Sequence, residues 1–327
     1  MAIEVLEGGL LASVQDLGRT GWAKFGVPRS GAMDEFALRA ANRLVGNPDS
    51  AAGIEIGPAG FKFRLSGTAV IAVCGADFTL SVDGESKPLW KSIFTRNGQI
   101  IEIQPNASGV WAEIACSGGV QVPLLMHSRS TYLRGGFGGY QGRTLQSGDS
   151  IQIGGYADRR EFMPCWLPPA ARPRYHKTLR VRVVEDGQHE FFSPQTRQQF
   201  YQQAYTVNPA SDRVGYRLIS LPLPHDRVGE MLSAGMLPGT IQVAADRQPM
   251  VMMADSPPSG GYPRIAAVIR ADLGLMAQCP PGSGQVYFQP VEVSEAHQAY
   301  RSLLECLNKI ESLDDEHVGT EWAGATR

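Results

Sequence analysis

The chain holds 327 residues, 43% apolar and 19% charged, with a formal net charge of −2. That length exceeds what one hydrophobic core usually fills, so two domains are expected. The near-neutral balance argues against nucleic acid or an anionic membrane as the main partner. Glycine (37) and proline (22) are abundant, which points to a mainly β fold of short strands with frequent reversals. Cys74, Cys116, Cys165, Cys279 and Cys306 are scattered without CxxC spacing. They read as reduced thiols of a cytoplasmic protein, not as a disulfide framework or a zinc site. The first residues are acidic with no basic segment before an apolar one, and no apolar run approaches the roughly 20 residues of a membrane span.

Along the chain, Ser30–Asp34 leads into a helix over Glu35–Leu44, with apolar positions at Phe36, Leu38, Ala41 and Leu44 and a stop at Gly46-Asn47-Pro48. Strands are expected at Phe61–Leu65, Ala69–Cys74, Thr79–Val82, Ile100–Ile103 and Val110–Cys116. Asp83-Gly84, Asn97-Gly98 and Asn106–Gly109 mark the turns, and Asp83-Gly84 sits in a hairpin over Phe78–Trp90. Tyr156–Lys177 lacks periodicity and reads as a linker. Strand signals follow at Thr178–Val184, Tyr205–Val207, Tyr216–Ser220, Thr240–Val243, Met250–Ala254 and Gln285–Pro290. A helix is expected at Ser193–Ala204; Ile265–Val268 fits either type. A last helix spans about Ser294 to Ile310, and the polar segment past Ser312 is expected to fray. The resulting division is 1–172, 173–293 and a helix with a polar tail at 294–327. Two β-rich parts suggest two small barrels, because closing a sheet removes its edges.

No phosphate loop, strand–GxGxxG–helix unit, nucleophile elbow or HExxH motif is present, and no histidine pair has ligand spacing. What stands out is Ser211–Leu218, where Asp212, Arg213, Tyr216 and Arg217 crowd around Gly215. Two guanidinium forks there suit a carboxylate or phosphate; an internal salt-bridge knot is the competing reading. Gln15, Asp16 and Arg19 form a similar group around Gly18, and Arg129 lies between the hydroxyls of Ser128, Ser130 and Thr131. Gly260-Gly261-Tyr262, near Asp255, is a tight loop whose N–H groups can face a ligand. Gln242 and Gln278 are amides in apolar surroundings that need buried partners or an amide substrate.

Together Val14–Gly21, Gly26–Asp34, Ala41–Asn47, Gly118-Gly119, Ser128–Thr131, Ser211–Leu218, Gly239–Val243 and Gly260–Ile265 resemble the family of 5-oxoprolinase C subunits, also called the biotin-dependent carboxyltransferase or allophanate hydrolase subunit 2-like family. The resemblance implies two cyclophilin-like β-barrel domains with a few short helices. It implies a B-type partner chain, and an A-type chain that completes ATP-dependent opening of 5-oxoproline to glutamate. No cofactor would be bound covalently in this chain; ATP or carboxybiotin would come through partner subunits. The alternatives are the carboxyltransferase part of a biotin-dependent urea or amide carboxylase, and a non-catalytic regulator that binds a kinase-inhibitor partner.

In this reading Arg213, Arg217 and Arg129 bind carboxylate or phosphate, while Asp212 and Asp16 orient them. Gln242 and backbone donors near Gly260 and Gly261 polarise the amide carbonyl. Asp212, Arg213 and Gln242 are the expected catalytic residues. The expected substrate-binding residues are Gln15, Asp16, Arg19, Arg129, Ser130, Thr131, Arg217, Asp255, Gly260, Gly261 and Tyr262. Loss of Arg213 would abolish turnover with the fold intact. The chain departs from the family pattern at Ala244, Arg247 and Pro257-Pro258, close to the second half's part of the site.

Overall fold

The computed structural model describes residues 1–106, 109–155, 162–225 and 232–313. Part of the expected Asn106–Gly109 turn, the start of the Tyr156–Lys177 linker and most of the polar tail therefore lie outside the described residues.

In the first half two antiparallel sheets pack face to face. One has six strands in the order Ser150–Gln152, Ala2–Glu7, Phe61–Ser66, Ile100–Pro105, Phe78–Val82 and Glu85–Lys87. The other has five: Ser13–Gln15, Gly53–Ile56, Ala112–Cys116, Ala69–Gly75 and Ile93–Thr95. Alternation puts Ile3, Phe61, Phe63, Leu65, Ile101 and Ile103 of the first sheet against Val14, Ile54, Ile71, Val73 and Ile114 of the second. All four edge strands are three residues long, which leaves little unpaired backbone for another chain to engage.

Ala69–Gly75 is buried throughout because both of its faces are covered. Ile71 and Val73 enter the inter-sheet core, while Val70, Ala72 and Cys74 meet helix α1 (Glu35–Leu44). Asp34 caps α1 by accepting from Ala37 N–H at 3.1 Å. The helix then buries Phe36, Ala37, Ala40, Ala41 and Leu44 on the outer face of the five-stranded sheet.

The second half closes into a seven-stranded barrel in the order Thr178–Glu185, Arg264–Val268, Thr240–Val243, Pro249–Met252, Gly215–Ile219, Tyr205–Val207 and Gln285–Pro290. Arg264–Val268, ambiguous in sequence, is a strand because it pairs on both sides. Helix α2 (Pro194–Gln202) brings Phe200 onto Phe288 with ring centroids 4.8 Å apart. After the short α3 (Leu273–Ala277), α4 (Val293–Cys306) carries the chain back to the first half. There Leu303 and Leu304 join the α1 cluster, and Glu311–Ser312 pairs with Cys165–Trp166. No described helix is long and apolar enough to cross a membrane.

The halves share core. Met33, Val110 and Trp111 of the first half belong to the hydrophobic cluster of the barrel. Gln278 joins them. Its carbonyl accepts from Val110 and Trp111 N–H, both at 2.8 Å, and its amide donates to Trp111 O at 2.8 Å and to Asp34 Oδ2 at 3.1 Å. The buried partners expected for this amide are thus backbone and carboxylate groups across the junction. Gln278→Leu keeps the volume but leaves those groups unpaired, and should lower stability by about 2–4 kcal/mol. Urea unfolding would show a lower midpoint at unchanged slope; an unchanged midpoint would mean the junction does not depend on this amide.

Candidate functional site

Arg213 is 4% exposed and all three of its guanidinium nitrogens are occupied inside the protein. Nη1 donates to Glu55, Nε to Asp255 Oδ2 at 2.9 Å, and Nη2 to Asp255 Oδ1 at 3.2 Å and Gly31 O at 2.7 Å. The backbone locks the same pair, since Asp255 N–H donates to Arg213 O at 2.8 Å. Glu55 comes from the five-stranded sheet, so one buried guanidinium ties the two halves together. The fork that sequence presents as free is a salt-bridge knot, but its partners are Glu55 and Asp255. Asp212 does not orient it: its Oδ1 accepts from Val214 and Gly215 N–H at 2.9 and 3.2 Å and shapes the turn.

Glu55 lies in register with Glu113 on the neighbouring strand, and both are fully buried. Burial pushes the Glu113 carboxyl well up from the ordinary glutamate range, and the charges of Glu55 and Asp34 push the same way. Burial lifts Glu55 too, but the Arg213 charge and the Met33 N–H at 2.6 Å oppose it. Of the pair, Glu113 is the one pushed up harder, and Glu55 is the one that faces Arg213.

Beside this knot the first-half segments converge on Asp16. Its carboxylate accepts from Ser128 Oγ at 2.7 Å, Ser130 Oγ at 2.5 Å, Arg129 N–H at 2.6 Å and Gly18 N–H at 2.8 Å. Thr131 Oγ1 donates to Val14 O at 2.9 Å, and Gln15 Nε2 donates to Thr131 O at 3.2 Å. Arg129 Nε is taken by Val122 O at 3.0 Å. Asp16 therefore organises hydroxyls and backbone, not an arginine fork.

Arg19 differs from Arg213. It is 3% exposed, donates through Nη2 to Ser130 O and lies 5.1 Å from the Phe137 ring centroid. Among the described residues its Nε and Nη1 have no partner, and neither do Gln15 Oε1 and Ser30 Oγ. Gly138 makes room for it, since a Cβ there would stand 2.2 Å from Arg19 Nη2. Burial pulls the Arg19 pKa down, opposed by the charges of Asp16 and Asp255. The segment Arg29–Ala32 joins the two groups: Arg19 N–H donates to Arg29 O at 2.7 Å, Ala32 N–H to Asp16 O at 3.0 Å, and Gly31 O meets Arg213.

The structure thus gathers Gln15, Asp16, Arg19, Arg129, Ser130, Thr131, Arg213 and Asp255 at the junction. It does not bring Gln242, Gly260, Gly261, Tyr262 or Arg217 there. Gln242 alternates with the core residues Ile241 and Val243 and so faces out of the barrel, where its Nε2 donates to Tyr262 O at 3.4 Å beneath Gly260. Among the described residues no hydrogen bond connects this group to Arg213. Arg217 is exposed on its strand. Arg247, one of the departures from the family pattern, sits at φ 62°, a left-handed position that glycine adopts at less cost. Sequence reading missed Glu55 and Glu113; the available signal was an acid in each of two apolar stretches, Gly53–Ile56 and Ala112–Cys116. Ser30 was part of a noted segment but was not singled out. Among the described residues no cluster of three His, Cys, Asp or Glu side chains could hold a metal ion.

Two outcomes follow. Arg213→Ala leaves two buried carboxylates uncompensated and should cost about 3–5 kcal/mol, so lost activity in that variant would report on folding as well as chemistry. Thermal melting checks this; a wild-type melting temperature would refute it. Burial holds the Glu113 carboxyl well above its unfolded value of 4.5 in the fold. Its contribution is therefore full below that pH and is lost as pH rises. Glu113→Gln, which retains a donor toward Glu55, should gain stability over wild type from pH 5 to 8, by at most about 1.4 kcal/mol per pH unit. A difference that does not change with pH would count against this upward shift.

A family model for the carboxyltransferase domain, subdomain A and B, matches residues 25–290. The chain is 33% identical over 317 residues to the C subunit of 5-oxoprolinase from Haemophilus influenzae, covering 96% of this chain and 99% of that protein. It is also 33% identical to the corresponding 5-oxoprolinase C subunit of Escherichia coli, with 91% and 94% covered. The crystal structure of the K. lactis urea amidolyase superposes with a TM-score of 0.87 at 29% identity, over 96% of this chain but 20% of that one. The chain thus spans about a fifth of that enzyme. With a match that runs from residue 25 through the whole barrel, the chain belongs to the carboxyltransferase domain family, subdomain A and B.

Proposed function

We propose that this protein is the C subunit of a cytoplasmic, ATP-dependent 5-oxoprolinase that works with B-type and A-type partner chains. The observation that carries the reading is the 33% identity to a 5-oxoprolinase C subunit, sustained over 99% of that relative. In the reaction the lactam C–N bond breaks, water supplies the new carboxylate oxygen, and the ring nitrogen leaves as the amine of glutamate. ATP hydrolysis, assigned to the partner chains, drives it. This chain would hold the substrate. Arg19 Nε and Nη1 supply two unspent donors for the carboxylate, and Gln15 Oε1 supplies an acceptor for the lactam N–H. Asp16 and Ser130 position the Arg19 loop.

The two buried arginines make the reading testable. Removing Arg19 relieves an undercompensated buried charge, so Arg19→Met should keep the wild-type melting temperature or raise it. In the complex co-expressed with its A-type and B-type partners, the same change should raise KM for 5-oxoproline about 10- to 100-fold, the worth of a charge-assisted hydrogen bond. An unchanged KM removes Arg19 from the substrate site. A wild-type complex without ATP-dependent glutamate formation removes the oxoprolinase reading.

A second reading, carboxyl transfer from carboxybiotin to a urea-like amide, is favoured by the close superposition on the K. lactis urea amidolyase. It requires a biotinylated partner, which streptavidin blotting of the purified complex would reveal, together with bicarbonate-dependent ATP turnover.

A further inference from the structure

A cavity of about 410 Å³ lies between the two halves, bounded by α1, the Pro173–Tyr175 segment, α3 and α4. Sites for small molecules typically span about 300–1,000 Å³. None of the site residues expected from sequence lines it. The Ser30–Asp34 segment is the common wall: Gly31 O and Met33 N–H bond to Arg213 and Glu55, whereas Ser30 and Asp34 line the cavity.

Its walls are mainly apolar, with Phe36 from α1 and Leu303 and Leu304 from α4. The charged groups among them are unbalanced, five arginines against three carboxylates. Glu35 is shared between Arg29 at 2.7 Å and Arg270 at 3.0 Å, and Asp272 is held by Arg182 at 2.6 Å. Arg270 also lies 4.7 Å from the centroid of the Tyr300 ring. Arg174 has no hydrogen-bond or ion-pair partner among the described residues. Ser30, 3% exposed and at φ 56°, has a hydroxyl with no partner among the described residues. The exposed Arg174 guanidinium on the wall of an apolar chamber suits a charged head on an apolar body.

We infer that this cavity binds a small monoanion with an apolar body, an acyl or aryl carboxylate in chemical class, with Arg174 as the ion-pairing residue and α1 and α4 enclosing the body. The inference is independent of the oxoprolinase reading, because its test is binding to the full chain without turnover. The probe is 8-anilinonaphthalene-1-sulfonate, an aryl monoanion, compared with neutral N-phenyl-1-naphthylamine. One-to-one binding is expected. Arg174→Gln, an exposed position, should weaken the anionic probe about 10-fold and leave the neutral one unchanged. Ala299→Trp, which puts a ring into the cavity from α4, should remove both. Octanoate should displace the anionic probe at concentrations where octan-1-ol does not. Wild-type affinity for the anionic probe in both variants, or equal competition by octanoate and octan-1-ol, overturns the assignment.

Discussion

The buried guanidinium of Arg213 is the constraint around which the junction is arranged. A charge removed from water needs compensation on every side, and here the compensation comes from both halves, Glu55 from one and Asp255 from the other. Satisfying it requires Gly31 O to point inward, which sets the path of Arg29–Asp34. That path in turn places the Asp34 cap of α1, and Asp34 receives the Gln278 amide and the Tyr175 hydroxyl at 2.7 Å. Glu113, its carboxyl pushed up by burial and by the Glu55 charge, shares the same space.

The two buried arginines differ in how far their donors are spent. Arg213 has a full set of partners, as a structural ion pair requires. Arg19, equally hidden, retains two unspent nitrogens a short distance away, held by Ser130 O and the Phe137 face. Leaving such donors unsatisfied costs stability, and a protein keeps that cost where a ligand can make up the missing bonds. The same contrast recurs across the Ser30–Asp34 wall, where one side is saturated and the other keeps Ser30 Oγ free.

Local patterns carried most of the element assignments. The helix Glu35–Leu44 and the strands Tyr205–Val207, Thr240–Val243 and Gln285–Pro290 appear at the residues where periodicity placed them. Arg264–Val268 remained ambiguous because a short apolar run has no preferred period. Closure of the second half, and two packed sheets in place of a second closed ring in the first, depend on which strands pair across long separations. The parallel pairing of Thr178–Glu185 with Gln285–Pro290, which closes the barrel, leaves no local mark.

From sequence alone came the mainly β class, the two-part organisation, the family and the set of segments rich in glycine, acid and arginine. Those properties live in residue type and short spacing. Tertiary structure decided what each charge does. Arg213 and Arg19 are the same residue type in similar surroundings of glycine and aspartate, yet one is spent and the other is not. The difference is made by Glu55 and Asp255, distant in the chain from Arg213 and brought to it only by folding. Gln242 was likewise expected at the substrate site by chemistry, and the alternation of its barrel strand turned it out of the barrel, onto the Tyr262 loop. Where a side chain's partners are nonlocal, its role is a property of the fold.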